Sequence, residues 1–237
     1  MKRLLICGCS GLSRDIVPLI EKNDCFVKHY NKEKKSTEII SFDEILFIDS
    51  NFKKNKYLGY EVHKDFQNDK KYNNYFFVSF SSIKSQYYRK ICRNKFLSFG
   101  FKEISLISKK AYIADNSLIY NGCFIGNGVY LGPNSIVETG TIILFNSVVS
   151  RDCFINNDVF ISANVTVTAG KKINNNAYIG AGSLIDASIG ELSVIGSGSS
   201  IKRDVKKFTF FDGATNIKYR EVKFELQKKF IDARSLF

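Results

Sequence analysis

The chain has little of what would mark a disordered, membrane-spanning, secreted or metal-bound protein. Two prolines in 237 residues, beside 44% hydrophobic and 24% charged residues, exclude a low-complexity segment and predict an ordered, soluble fold. No stretch approaches the roughly 18 uninterrupted apolar residues that a spanning helix requires. The start Met1-Lys2-Arg3 is charged, but the apolar run after it, Leu4 to Cys7, is too short for a signal-peptide core, and a glycine turn follows at once. A cytoplasmic protein with no membrane partner is therefore expected. Two histidines and six scattered cysteines (Cys7, Cys9, Cys25, Cys92, Cys123, Cys153) offer no zinc-ligand spacing. The expectation is no metal, with the thiols acting as small buried hydrophobes in a reducing compartment.

Charge is present but unevenly placed. Residues 1–106 carry 20 basic and 12 acidic side chains, residues 107–201 carry 5 and 6, and residues 202–237 carry 10 and 5. The basic residues form no single stripe, and no recognition helix or RNP-like motif accompanies them, so no nucleic-acid partner is expected. Small polyanions suit this distribution at least as well.

The middle of the chain is a repeat. Stepping by six from Ile107 gives Ile113, Ile119, Ile125, Leu131, Val137, Ile143, Val149, Ile155, Ile161, Val167, Ile173, Ile179 and Ile185, all aliphatic. At a frequency of about one in three per position, chance yields this roughly once in several million trials. Four residues after each aliphatic comes a mostly small side chain, such as Ser135, Thr141, Ser147 or Cys153, with Lys171 the exception. The pattern predicts a left-handed parallel β-helix, a departure from right-handed crossovers, over residues 107–205. Each hexad forms one side of a triangular coil, and three close a turn of 18 residues. After Ile185 the phase slips by four to Ile189, Ile195 and Ile201, which shortens one side. Residues 18 apart must lie above one another, so Asp152 is expected between Asn134 and Gly170, and Arg151 between Pro133 and Ala169. Asparagine and glycine supply corners that need unusual φ.

Residues 1–106 read as an α/β, Rossmann-like domain. Arg3 to Cys7 is a buried strand, Gly8-Cys9-Ser10-Gly11 a turn, and Leu12 to about Lys22 a helix whose first amides could meet phosphates. Strands are expected at Glu44–Asp49 and Tyr75–Phe80, a helix at Ser82 to about Leu97, and a surface excursion at Asn51–Lys71. The tail, 206–237, should end in a capping helix from Arg220 to Ala233.

On Gly8-Cys9-Ser10-Gly11, Phe47-Ile48-Asp49-Ser50-Asn51 and the hexads from Ile107 to Ile201, nearly the whole chain resembles the NeuD/PglD-type sugar O-/N-acyltransferases. The resemblance implies a homotrimer with sites between neighbouring β-helices. It implies acetyl transfer from acetyl-CoA to an amine of a UDP- or dTDP-linked amino sugar, for surface glycan biosynthesis. Residue by residue, it places Ser10, Gly11 and Asp49 at the nucleotide sugar. Ala169, Gly170, Ala181, Gly182 and Gly198 would line the coenzyme groove, with Lys202 and Arg203 at its phosphates. The family's catalytic histidine falls in Ser150-Arg151-Asp152-Cys153, where Arg151 stands instead and cannot accept a proton. Phe160 replaces a second histidine, the closing G-x-P-A reads Gly213-Ala214-Thr215-Asn216, and His29 and His63 match no catalytic position. Asp152 becomes the candidate base and Arg151 a candidate substrate-anion ligand. The alternative is a catalytically silent homologue that binds a nucleotide sugar or a protein partner.

Overall fold

The computed structural model describes residues 1–31, 36–66, 71–80, 86–213 and 219–221. The amino-terminal elements are β1 (Lys2–Cys7), α1 (Gly11–Glu21), β2 (Cys25–Asn31), β3 (Ser36–Ile39), β4 (Glu44–Ile48), β5 (Lys56–Tyr57), β6 (Tyr60–His63), β7 (Asn73–Val78), α2 (Gln86–Ser98), β8 (Lys102–Glu103) and β9 (Ser105–Ser108). One sheet has the order β5-β6-β4-β1-β7-β8, with β1 parallel to both β4 and β7. β1 is an apolar run because both of its faces are covered. Leu4 and Ile6 pack with Leu12, Ile16 and Val17 of α1, whereas Leu5 and Cys7 pack with Phe96 of α2 and Phe101. The stretch expected as a surface excursion instead supplies β5 and β6. Val62 pairs with Phe47 of β4, and Tyr60 and Val62 turn inward onto the α1 side of the core.

The hexads build a triangular prism, a left-handed β-helix. Ile125, Ile143 and Ile161 form one column in parallel register, and every repeat aliphatic from Ile125 to Ile185 is 0% exposed. From Ile173 the spacing falls to sixteen: Ile173 pairs with Ile189, Ile179 with Ile195 and Ile185 with Ile201. The small residues are more than fillers. The Ser135 hydroxyl donates to Ser150 O (2.8 Å) and accepts from Cys153 N (3.2 Å); Thr141 does the same with Asn156 O (2.7 Å) and Val159 N (3.2 Å). At Ser135, Thr141 and Ser147 a side-chain hydroxyl thus stitches the corner to the coil below, satisfying backbone groups that the two-residue strands leave over.

Of the three prism faces, one points Phe124, Ile142 and Phe160 outward, and the amino-terminal core covers all three. The second, here the tyrosine face, points out Tyr112, Tyr130, Val148, Thr166 and Leu184; the third points out Leu118, Ile136, Phe154 and Lys172. The two parts of the chain also share a sheet, because β2 pairs antiparallel with β9, the first strand of the covered face. A charged joint adds to this. Arg93 of α2 donates to both carboxylate oxygens of Glu103 and, at 2.9 Å, to Asp158 on the prism edge, and all three side chains are buried. Burial works against the Arg93 charge, but Glu103 and Asp158 outweigh it and push its pKa up. Burial also pushes the Glu103 carboxyl up, with Arg93 pulling back.

At the far end, Thr209–Phe211 continues the covered-face sheet, and Tyr219–Glu221 pairs with it antiparallel. Arg220 and Glu221 are therefore strand rather than the start of the expected helix, the remainder of which lies outside the described residues, as do Ala214, Thr215 and Asn216. Among the described residues, no helix is long and apolar enough to cross a membrane.

Candidate active site

The edge between the two uncovered faces carries Asn116, Asn134, Asp152 and Gly170, all with φ between 57° and 72°. Every sixth residue from Asn116 to Gly182 has positive φ, the region that asparagine, aspartate and glycine tolerate best. Asp152 therefore meets a backbone requirement first. Its amide donates to Pro133 O and the Gly170 amide donates to Arg151 O, both at 3.0 Å, which puts Arg151 and Asp152 between the expected coils. Gly132 allows this approach, since a Cβ there would run into the Arg151 backbone. Asn134 Nδ2 donates to Asp152 Oδ1 (3.2 Å), and Arg151 Nε lies 3.6 Å from Asp152 Oδ2. The two side chains are 69% and 53% exposed, so nothing among the described residues closes over them. The neighbouring Cys153 thiol is turned into the coil, donates to Thr168 O, and is pushed up by burial, which disqualifies it as a ready nucleophile.

Below Gly170 the edge is two residues shorter, at Asp186–Ser188 and again at 202–204, where the coils run at sixteen. Lys202 and Arg203 sit on this shortened edge. Above them Asp186 accepts from Thr168 Oγ1 (2.6 Å) and pairs with Lys171 (3.3 Å); those contacts hold its carboxyl below the usual range. Ala181, Gly182 and Gly198 lie elsewhere, on the edge at the other side of the tyrosine face, with Gly198 N donating to Ala181 O. The expected groove residues thus split into two sets flanking one face. A Cβ at Gly170, Gly182 or Gly198 would meet nothing within 4 Å, so these corners are open outward. On the first two rungs of the same face, away from these corners, the Tyr112 and Tyr130 rings stack at 5.2 Å and 4° on the prism surface.

In the amino-terminal part, Ser10 caps α1, and its hydroxyl also reaches Ser79 O at 2.6 Å. Asp49 accepts three backbone bonds, from Cys9 N (2.9 Å), Asn51 N (3.0 Å) and Phe52 N (3.2 Å). Ser10, Gly11 and Asp49 are brought together, but Ser10 and Asp49 also hold the turn in place. Burial and Asp49 push the Cys9 thiol up to about 12. Lys53, Lys54 and Lys56, passed over in the sequence as surface, surround a hollow beside this turn with Arg14; the signal for them was the basic excess of residues 1–106. Arg151 and Asp152, by contrast, stand on the edge opposite the covered face. One chain does not bring them to Ser10 and Asp49. Among the described residues, no three of His, Cys, Asp and Glu cluster as metal ligands.

No protein-family profile and no curated protein sequence matches the chain. Solved structures do. The acetyltransferase domain of PglB from Neisseria gonorrhoeae superposes with a TM-score of 0.74 at 17% identity, over 93% of this chain and 100% of that one. WeeI from Acinetobacter baumannii gives 0.75 at 18%, over 93% and 99%. A perosamine N-acetyltransferase variant from Caulobacter crescentus, in complex with CoA and GDP-perosamine, gives 0.73 at 16%, over 93% and 97%. Over 93% of its length the chain has the fold of the sugar acetyltransferases of the hexapeptide, left-handed β-helix type.

Proposed function

We propose that the protein transfers acetyl from acetyl-CoA to an amine of a nucleotide-linked amino sugar. The observation that carries this reading is the likeness over 93% of the chain to structures that include a complex with both CoA and GDP-perosamine. Residues 1–106 would hold the nucleotide sugar and residues 107–205 the coenzyme, with 206–237 as the closing tail. The separation of Arg151 and Asp152 from Ser10 and Asp49 within one chain supports a site completed by a second copy. Two flat uncovered faces with apolar rows favour closed cyclic packing, and we propose a homotrimer.

The chemistry asked of the site is modest. The amine lone pair attacks the thioester carbonyl carbon, and the oxyanion that forms is held by backbone N–H groups of the groove. Collapse expels the coenzyme thiolate, and the proton lost by the nitrogen ends on that sulfur. Alignment supplies much of the rate, because the thioester is already activated. Asp152 is the proposed proton acceptor once a neighbouring copy closes over it, and Arg151 the ligand of a substrate phosphate or carboxylate. Ala169, Gly170, Ala181, Gly182 and Gly198 would follow the pantetheine arm from the two edges, with Lys202 and Arg203 at the phosphates. Thiol release from acetyl-CoA, assayed over UDP-, dTDP- and GDP-linked amino sugars, tests the reading. No release with any of them, together with no coenzyme binding, favours the silent homologue. That second reading has its own observation: the guanidinium of Arg151 stands where the resemblance places a histidine.

A further inference from the structure

The corner beneath Arg151 and Asp152 breaks the rule of small residues. It is Thr168-Ala169-Gly170-Lys171, and Lys171 stands where every counterpart from Cys123 to Ser183 is buried and no larger than valine. A lysine fits because the rung below is short: Ile185 to Ile189 spans four positions, against six from Val167 to Ile173. Its side chain, 28% exposed, reaches down to this shortened edge and ends 3.3 Å from Asp186 Oδ1. Thr168 Oγ1 donates to the same oxygen at 2.6 Å. One carboxylate therefore clasps both ends of a four-residue corner. Asp186 is anchored in turn, its amide donating to Ile201 O at 2.8 Å.

The clasped corner is also the floor of the candidate catalytic residues. Gly170 N donates to Arg151 O (3.0 Å), Lys171 O accepts from Phe154 N (2.9 Å), and Thr168 O accepts from the Cys153 thiol (3.2 Å). A Cβ at Gly170 would meet nothing within 4 Å, so the tip of this turn has no packing to hold it. An exposed ion pair ordinarily contributes little to stability. Here its two donors come from opposite ends of one turn, and what it fixes is a shape. We propose that Asp186, through Lys171 and Thr168, is a positioning residue that holds the Arg151–Asp152 corner in place from the coil below. The inference rests on the transferase reading above and adds to it three residues that touch none of the reacting atoms. A shift of about 1 Å in such a floor is enough to cost on the order of a hundredfold in rate.

The test pairs hydrogen exchange with kinetics on the full chain. In Asp186→Ala, peptides covering residues 150–155 and 168–172 should exchange about tenfold faster, while those covering 125–143 keep the parent rate. Tm should stay within about 3 °C of the parent, because the pair is exposed. Turnover, followed as thiol release from acetyl-CoA, should fall by about 10–100-fold with KM for acetyl-CoA within about threefold. Lys171→Met should act in the same direction, and Lys171→Arg, which can still reach the carboxylate, should recover most of that loss. A rise in KM at unchanged turnover would make Asp186 or Lys171 a direct ligand of the coenzyme and would overturn the proposal. So would exchange at 150–155 that matches the parent. If thiol release proceeds in the parent and exchange does not respond, this inference alone falls. If exchange responds as described and the parent releases no thiol with any sugar nucleotide, the corner is held as proposed and the transferase reading falls.

Discussion

Removing Arg93 should loosen the joint between α2 and the prism more than any other single change there. Its guanidinium is shared by Glu103 and Asp158, and Arg93→Ala leaves two buried carboxylates facing each other without their cation. Breaking a buried pair in this way costs about 3–5 kcal/mol. Arg89 moderates the loss: it is 1% exposed, sits close enough to act on both acids, and its Nε and Nη1 have no hydrogen-bond partner among the described residues. The lower half of that range is therefore expected, a fall in Tm on the order of 10 °C at about 2–4 °C per kcal/mol for a chain of this size. Arg89→Met should cost less than Arg93→Ala, because it takes a cation from near the two acids but also removes a buried guanidinium with two unsatisfied nitrogens. The triple change Arg93→Met/Glu103→Gln/Asp158→Asn should recover part of the loss, with asparagine keeping the positive φ at 158. Scanning calorimetry at fixed protein concentration measures all three. Arg93→Ala within about 1 kcal/mol of the parent would refute the reasoning, since the joint would then be ornamental.

The same joint sets a pH dependence: with its carboxyl raised by burial, Glu103 contributes stability that is present below the ordinary glutamate pKa and is lost as pH rises through the raised one. Glu103→Gln should flatten that part of the Tm–pH curve, and an unchanged curve would contradict the assignment. Ile143→Ala, in the fully buried column, should cost about 2–5 kcal/mol by urea unfolding, and Ile113→Ala, half-buried in the first coil, clearly less. If Asp152 is the base, Asp152→Asn should lower turnover by about 10²–10⁴, against less than about tenfold if alignment dominates; Arg151→Ala should mainly raise KM. Arg151→His should raise transfer sharply if only the base is missing from an intact groove. Leu184→Glu on the tyrosine face should convert a trimer to smaller species by light scattering, and a monomeric parent at micromolar concentration would count against the whole site.

The prism was legible because its period is short and its requirement is severe: one inward position in six, stacked without a break, admits only aliphatics from Ile125 to Ile185. The ruler it provides also located Asp152 under Asn134. Less legible were contacts between segments far apart in the chain. Nothing local in Cys25–Asn31 says that it pairs antiparallel with Ser105–Ser108, and the lysine- and asparagine-rich stretch after Asp49 hides a two-residue and a four-residue strand. The role of Ser135 and Thr141 was half visible, as smallness, while their hydrogen bonds depend on the coil below. Arg93, Glu103 and Asp158 gave no sign of convergence, because three charged residues at separations of 10 and 65 follow no period.

The pairing of β2 with β9 also bears on how the protein avoids becoming a fibre. A stack of parallel hexads is open at its ends, and another stack could in principle add there, rung upon rung, each new coil templated by the last. The covered face does not offer that template at the amino end: its first strand, β9, is occupied by β2, which runs the opposite way, and β2 in turn by β3. An antiparallel strand cannot pass on a parallel register. A growing coil must add on all three faces together, so closing one of them is enough to stop elongation, even though the strands at Tyr112–Ile113 and Leu118–Ile119 begin their own sheets.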